Sequence, residues 1–207
     1  MALDGCAPEG CCYMVTTATI ELTRIERATI QLRIVGTSPL IVHRFDEKAK
    51  QMMLDAQQGR KRTKTAKDPQ ADYERSLYRL PDGRYGFPAT GFKAATVDSA
   101  RYFQGVKMTE LRQALLFKGE GPDQLVALEG EPEIREDAVR VGMGTADLRY
   151  RGIFNKWAAT LTIVYVPALL SEQSVLTLVD AGGTGGIGEW RPSKAKTGSY
   201  GTYEVEA

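Results

Sequence analysis

Apolar and polar positions alternate with two different periods along this chain, and the switches between them mark its elements. Ile30, Leu32 and Ile34 alternate with Thr29, Gln31 and Arg33, the pattern of a half-buried strand within a β-rich stretch from 18 to 35. An earlier strand is expected around 19–23. Gly36 and Ser38-Pro39 end this unit, and a short apolar run, Leu40-Ile41-Val42, leads into His43-Arg44-Phe45. Asp46 is the expected N-cap of a helix with Glu47 in its first turn. Phe45, Ala49, Met52, Met53 and Ala56 then share one helical face, which ends near Gly59. Residues 68–80 predict a short helix followed by an extended piece. Pro81-Asp82-Gly83 supplies a turn, since proline presets φ and glycine takes the positive angle. It joins 77–79 to 84–87 as a hairpin.

Pro88 opens a second helix with the stripe Phe92, Ala95, Thr96, Ser99, Tyr102 and Phe103, whose aromatics are read as core. Thr109 is expected to cap a third helix through Phe117. Residues 125–128 and 138–141 read as strands, with loops rich in Gly, Glu and Pro between and after them. The clearest strand is 157–166. Trp157, Ala159, Leu161, Ile163 and Tyr165 lie on one side and Thr160, Thr162, Val164 and Val166 on the other, so both faces are expected to be partly covered. Pro167 stops it. Ser171 and Glu172 open the last helix, Val175, Leu178 and Val179 are its buried face, and Gly182-Gly183 its C-cap. Residues 199–205 close as a strand.

With insertions set aside the order is β-α-β-β-α-β, the split βαβ or ferredoxin-like plan. The expected fold class is therefore α+β: an antiparallel sheet with helical insertions, helices on one face, and a glycine-rich loop before the last strand. Residues 1–17 are expected to be a disordered tail and 18–207 a single ferredoxin-like domain with an insertion at about 59–120. The open sheet face of such a fold is one place where single-strand-binding modules meet their ligand.

Composition narrows the chemistry. The 207 residues carry a formal net charge of +1, so any polyanion must be met by locally clustered charge rather than bulk basicity. Cys6, Cys11 and Cys12 are the only cysteines, and an odd count confined to one end is not a disulfide framework. With His43 the only histidine, no metal site and no cofactor are expected, and a reduced, cytoplasmic setting without membrane contact fits. One histidine and no G-x-S-x-G elbow argue against a nucleophilic triad. Gly142-Met143-Gly144-Thr145 and Gly183-Thr184-Gly185-Gly186 lack the Lys-Ser/Thr spacing of a nucleotide-hydrolysing loop.

Basic clusters stand out locally. Arg60, Lys61, Arg62, Lys64 and Lys67 follow the first helix without an acidic residue among them, as a solvated basic loop or as a flap that tracks phosphates. Residues 181–203 hold seven glycines with Trp190, Arg191, Lys194 and Lys196. Glycine lets backbone N–H groups cradle an anion, and a tryptophan among cations suits a stacked base on a phosphate chain. A flexible connection that happens to be glycine-rich has the same composition. In Leu148-Arg149-Tyr150-Arg151 the arginines either clamp phosphates while Tyr150 stacks on a base, or pair with Asp147 or Glu136.

A ferredoxin-like unit whose last helix runs into a glycine-rich loop resembles the RAMP superfamily of CRISPR-associated proteins, in particular the backbone subunits that polymerise along guide RNA. The likeness covers the strand order from 29 to 205. Its motif is Gly186-Ile187-Gly188 followed by Gly198-Ser199-Tyr200-Gly201; the GEWRP insert at 188–192 departs from it. The resemblance implies that a basic flap, here 59–67, and the loop glycines Gly186, Gly188 and Gly198 grip a strand while copies stack. Trp190 and Arg191 are then additions of this chain. The endonuclease branch of the superfamily makes His43 a weak catalytic candidate, as general base toward a ribose 2′-hydroxyl with Tyr200 or Lys194 nearby. SPLIVHRF paired with GEWRP is also similar to proteins encoded in phages and prophages.

The expected function is non-enzymatic binding of single-stranded RNA or DNA with self-association along the ligand. Its contacts are Arg60, Lys61, Arg62, Lys64, Arg149, Tyr150, Arg151, Gly186, Gly188, Trp190, Arg191, Lys194 and Lys196. The alternatives are a phage structural or assembly protein without nucleic acid, and a metal-independent endoribonuclease using His43.

Overall fold

Strand β1, Ala28–Gly36, buries Leu32 and Ile34 on one side and exposes Thr29, Gln31 and Arg33 on the other, because successive side chains of an extended chain point to opposite faces. The computed structural model describes residues 21–45, 47–60, 67–141 and 145–206. Residues 21–23, the described part of the strand expected around 19–23, are irregular. The three cysteines, Asp46, Lys61, Arg62, Lys64 and the Gly142–Gly144 part of one glycine pattern lie outside the described residues.

Strand β2, Leu40–Val42, is wholly buried, and helix α1, Glu47–Gln57, follows. Helix α2, Pro69–Ser76, begins on a proline whose missing N–H costs nothing there, and Asp68 caps it by accepting from the Ala71 N–H at 3.1 Å. Strands β3, Tyr78–Arg79, and β4, Tyr85–Pro88, form the expected hairpin, with Gly83 at φ +90° in its turn. Helix α3, Ala89–Asp98, runs into a 3₁₀ turn over Ser99–Tyr102 and then helix α4, Met108–Ala114. Strands β5, Leu115–Lys118, β6, Leu125–Glu129, β7, Pro132–Val141, β8, Thr145–Phe154, and β9, Ala158–Tyr165, come next. Helix α5, Glu172–Gly185, is capped by Ser171 through the Ser174 N–H, and strand β10, Tyr203–Val205, closes the chain.

The main sheet has the order β10-β1-β9-β6-β4-β3 with β5 also on β9, and every pairing is antiparallel. β5 lies against 162–165 of β9 and β6 against Ala158 and Ala159, so together they act as one interrupted strand. Counting them as one gives the order fourth-first-third-second, with α3 and α5 as the two helices. This is the ferredoxin-like α+β plan. Phe92 and Thr96 of α3 and Val175 and Val179 of α5 are buried with Ile34, Leu161 and Ile163 of the sheet. A second sheet, β2-β8-β7, is built on the long β7–β8 hairpin inserted between β6 and β9.

Several elements differ from their sequence patterns. Thr109 sits inside α4, and Lys107 precedes that helix. Residues 115–118 form a strand because Leu115 and Phe117 face the core while β9 offers an open edge. The expected strand at 138–141 begins at Pro132, and its partner β8 occupies the region read as loop. The final strand is only Tyr203–Val205. Tyr102 is exposed rather than core, and so are Phe45, Met52 and Met53 of the apolar stripe at α1. Among the described residues, no helix is long and apolar enough to cross a membrane.

The C-terminus of α5 shows why glycine spacing misled. The helix continues through Gly182 and Gly183 to Gly185, and Gly186, at φ +69°, caps it by donating to the Gly182 and Gly183 carbonyls. Gly182 is needed for packing, since a Cβ there would stand 3.0 Å from the Ala95 backbone; one at Gly183 would stand 1.9 Å from the Tyr203 carbonyl oxygen. At Gly185 a Cβ would meet only Ser193 at 3.5 Å. Gly183→Ala should therefore cost about 1–3 kcal/mol by overpacking. Gly185→Ala should be neutral or stabilise by up to about 1 kcal/mol. Urea denaturation of the two variants checks the contrast, and equal stabilities would contradict it.

Candidate nucleic-acid interface

The segment between α5 and β10 is rich in glycine but it is braced, not loose. Ile187 is buried, and its N–H donates to the Gly201 carbonyl at 2.9 Å. The Glu189 N–H donates to Ile41 of β2 at 2.9 Å, the Gly201 N–H to Pro39 at 2.8 Å, and the Ser193 N–H to Gly185 at 3.1 Å. The glycines permit backbone to touch backbone. A Cβ at Gly188 would lie 2.5 Å from the Ile41 oxygen, and one at Gly198 2.2 Å from the Trp190 oxygen. Gly186 and Gly188 also have positive φ. Their work is internal, which corrects the picture of glycines laid bare for a phosphate.

Trp190 stands on this frame with 38% of its surface exposed and its backbone at φ +57°. A bulky residue is an outlier there, at a cost of about 1–3 kcal/mol, and such strain persists only where the surroundings impose it. Here the Tyr200 N–H donates to the Trp190 carbonyl at 3.3 Å and Gly198 packs beneath it. Arg191 is half-buried and folded back, donating to the Gly188 carbonyl at 2.7 Å and the Ser193 hydroxyl at 3.2 Å. Lys194 and Lys196 are exposed. None of these three cations has a carboxylate partner among the described residues. Elsewhere Arg33, Arg44, Arg79, Arg84 and Lys107 are ion-paired.

Beside the segment lies a cleft of about 160 Å³ lined by His43, Tyr78, Phe87, α3 from Gly91 to Asp98, and Gly186 to Glu189 with Arg191 and Ser193. The Tyr78 hydroxyl donates to the His43 carbonyl at 3.5 Å. Burial pushes the Tyr78 phenol above its usual value; Arg44 opposes this and the Glu189 and Asp123 carboxylates add to it, so the group remains a protonated donor at neutral pH. Neither Tyr200 nor Lys194 lines the cleft with His43. Tyr200 instead accepts from Arg135 at 3.2 Å, with that guanidinium 4.9 Å above its ring. Glu189, Asp98 and Tyr78 carry no motif in the sequence that marks them as site residues. Glu189 comes nearest, since it stands between the candidates Gly188 and Trp190.

The remaining candidates are dispersed. Arg60 is exposed and lies 3.4 Å from Asp55. Arg149 pairs with Asp147 at 3.8 Å, and Lys67 bonds Asp147 and the Leu148 carbonyl. Tyr150 is half-buried against the core, and burial followed by Glu136 pushes its phenol upward. Arg151 is 3% exposed and pairs at 3.3 Å with Asp137, itself 7% exposed. It is withdrawn from any phosphate-binding role, because the end of β8 from Arg151 to Phe154 is buried throughout and Asp137 already neutralises the guanidinium. Along β1 and β9 the open face of the main sheet presents Thr29, Gln31, Arg33, Thr160 and Thr162, none of them with an aromatic ring on which a base could stack. Among the described residues, no group of three His, Cys, Asp or Glu side chains could hold a metal ion.

No family model matches the sequence, and no curated protein matches it either. Among solved structures, the chain is similar to one from a cryo-EM structure of the type III-B Cmr-beta complex bound to cognate target RNA. That match has 10% identity and a TM-score of 0.46, and covers 87% of this chain and 59% of the other. It is also similar to Cmr6 from Pyrococcus furiosus, at 9% identity and a TM-score of 0.42, covering 88% of this chain and all of that one.

The buried pair yields a test of the placement of Arg151. Asp137→Ala leaves a buried guanidinium without its counter-charge and should destabilise the protein by about 3–5 kcal/mol. Arg149→Ala, at an exposed ion pair, should cost less than about 1 kcal/mol. Thermal and urea melts of both variants measure the difference.

Proposed function

We propose that this chain binds single-stranded nucleic acid along the braced segment between α5 and β10, without catalysing a reaction. The observation that carries this reading is Trp190: a partly exposed indole on a strained backbone held by its neighbours, followed by Arg191, Lys194 and Lys196, which have no carboxylate partner among the described residues. Strain held at an exposed aromatic residue points to use. A ring on a backbone already fixed has less entropy to lose when a base stacks on it. Lys194 and Lys196 would hold phosphates on either side. Arg60, Lys61, Arg62 and Lys64 are further phosphate contacts of this proposal, Lys61, Arg62 and Lys64 lying outside the described residues. Tyr150 and Arg149 are secondary contacts, and Gly186 and Gly188 act only by shaping the frame. His43 is assigned no catalytic role, since its anticipated partners do not share its cleft.

Self-association along the ligand belongs to the same proposal. A second reading, an assembly protein without nucleic acid, is favoured by the exposed Phe45, Met52, Met53 and Leu54 at α1, a surface suited to a protein partner. Salt separates the two. Fluorescence anisotropy with labelled single-stranded RNA and DNA should show log affinity falling linearly with log salt, each phosphate contact adding about 0.7 to the slope. Lys194→Ala and Lys196→Ala should each lower the slope by about that amount. Trp190→Ala should weaken binding about tenfold, within the roughly 1–3 kcal/mol of a stacked base. A flat salt response, or full affinity in Trp190→Ala, would overturn the proposal.

A further inference from the structure

We infer that the cleft beside the braced segment recognises one unstacked base of the bound strand, and that this base is guanine. The inference rests on the proposed strand-binding function and deepens it. The cleft, of about 160 Å³, is below the roughly 300–1,000 Å³ that drug-sized ligands occupy and suits a single planar ring system. It shares Ala95, Asp98 and Ser193 with a neighbouring depression of about 300 Å³ between the 3₁₀ turn and the end of α5. The two form one groove through which a strand can lead a base inward.

The acceptors in the cleft favour a base with N–H donors over a phosphate. Glu189 and Asp98 both line it, and α5 ends beside it at Gly185, presenting the negative end of its dipole. Asp98 is itself paired with Arg101 at 3.8 Å, so the Glu189 carboxylate is the acceptor left open to N–H donors. The unneutralised Lys194 and Lys196 follow just after, where phosphates would remain outside.

Glu189 is the reading group. Its backbone is pinned to Ile41, between Gly188 at φ +75° and Trp190 at φ +57°. Among the described residues its carboxylate has no hydrogen-bond or ion-pair partner. Its effect on the phenol of Tyr78 is consistent with the two side chains facing one half-enclosed space. A carboxylate offers two acceptor oxygens side by side. Guanine alone among the common bases presents two adjacent N–H donors, N1–H and N2–H, to match them. Adenine and cytosine set one amino donor beside an acceptor nitrogen, and uracil sets one N–H between two carbonyls, so one carboxylate oxygen would face a lone pair. The guanidinium of Arg191, held on Gly188 and Ser193, retains further N–H donors for the guanine O6 and N7 edge.

The test compares short oligouridines that carry one central guanine, adenine or cytosine, by anisotropy at a single salt concentration. The guanine oligonucleotide should bind about tenfold more tightly than the other two, within what a bidentate base contact discriminates. Glu189→Gln replaces one acceptor by a donor and should bring the guanine oligonucleotide into line with the others. Lys194→Ala should weaken all three in parallel. Equal binding of the three by the native protein, or a guanine preference that survives in Glu189→Gln, overturns the pocket and leaves strand binding standing. Failure of every oligonucleotide to bind overturns both. Guanosine 5′-monophosphate alone should compete weakly; if it binds as tightly as the guanine oligonucleotide, the cleft serves a free nucleotide and the strand-borne base is wrong.

Discussion

Backbone rests directly on backbone, with no space for a side chain, at three points that bind the end of α5 and the segment after it to the rest of the fold. Gly183 meets Tyr203, Gly201 meets Ile187, and Gly188 meets Ile41, each glycine within 2.5 Å of the opposing carbonyl oxygen if a Cβ were present. The first contact fastens the last helix to the last strand, the second closes the segment on itself, and the third ties it to the smaller sheet. Hydrogen bonds from Glu189 to Ile41 and from Gly201 to Pro39 run alongside. Glycine is required for steric reasons here, and the outcome is rigidity rather than freedom.

Rigidity is what gives the surface residues of this segment their meaning. An indole or an ammonium group on a mobile loop loses much of its binding energy to ordering. On a frame tied to both sheets, the backbone that carries Trp190 and Lys194 is already held by hydrogen bonds before any ligand arrives. The same frame forms one wall of the cleft that Tyr78, Phe87 and α3 complete. A surface of outward cations and an adjoining cleft with two carboxylates thus grow from one structural device.

Charge elsewhere is largely spent internally. Arg33 bridges Glu129 and Glu206 across the open face of the main sheet, and its guanidinium holds the Glu129 carboxyl below the usual carboxylate range. Arg84 joins Asp82 and Glu120, and Arg151 is buried on Asp137. A chain with a net charge of +1 can still present a cationic patch, provided its carboxylates are paired elsewhere or, like Glu189, line the adjoining cleft.

The sequence by itself determined the local elements with strong periodicity or explicit punctuation: β1, the β3–β4 hairpin around Gly83, α2 behind Asp68-Pro69, α5 behind Ser171, and the ferredoxin-like order they imply. Alternation, caps and turn residues are local physics, legible wherever they occur. Only the tertiary structure decided that 115–118 is a strand, since that depends on an open edge of β9, and that 145–154 pairs along its whole length with β7, since three charges within five residues hide the apolar alternation a strand would show. It also decided which cations are available. Arg149 and Arg151 differ by two positions and have the same chemistry, yet one reaches solvent and the other is sealed against Asp137. Glu189 gained its place opposite Tyr78 only when the segment after α5 was drawn onto β2. Which groups meet across such distances is set by the packing of whole sheets, and nothing in a run of neighbouring letters encodes it.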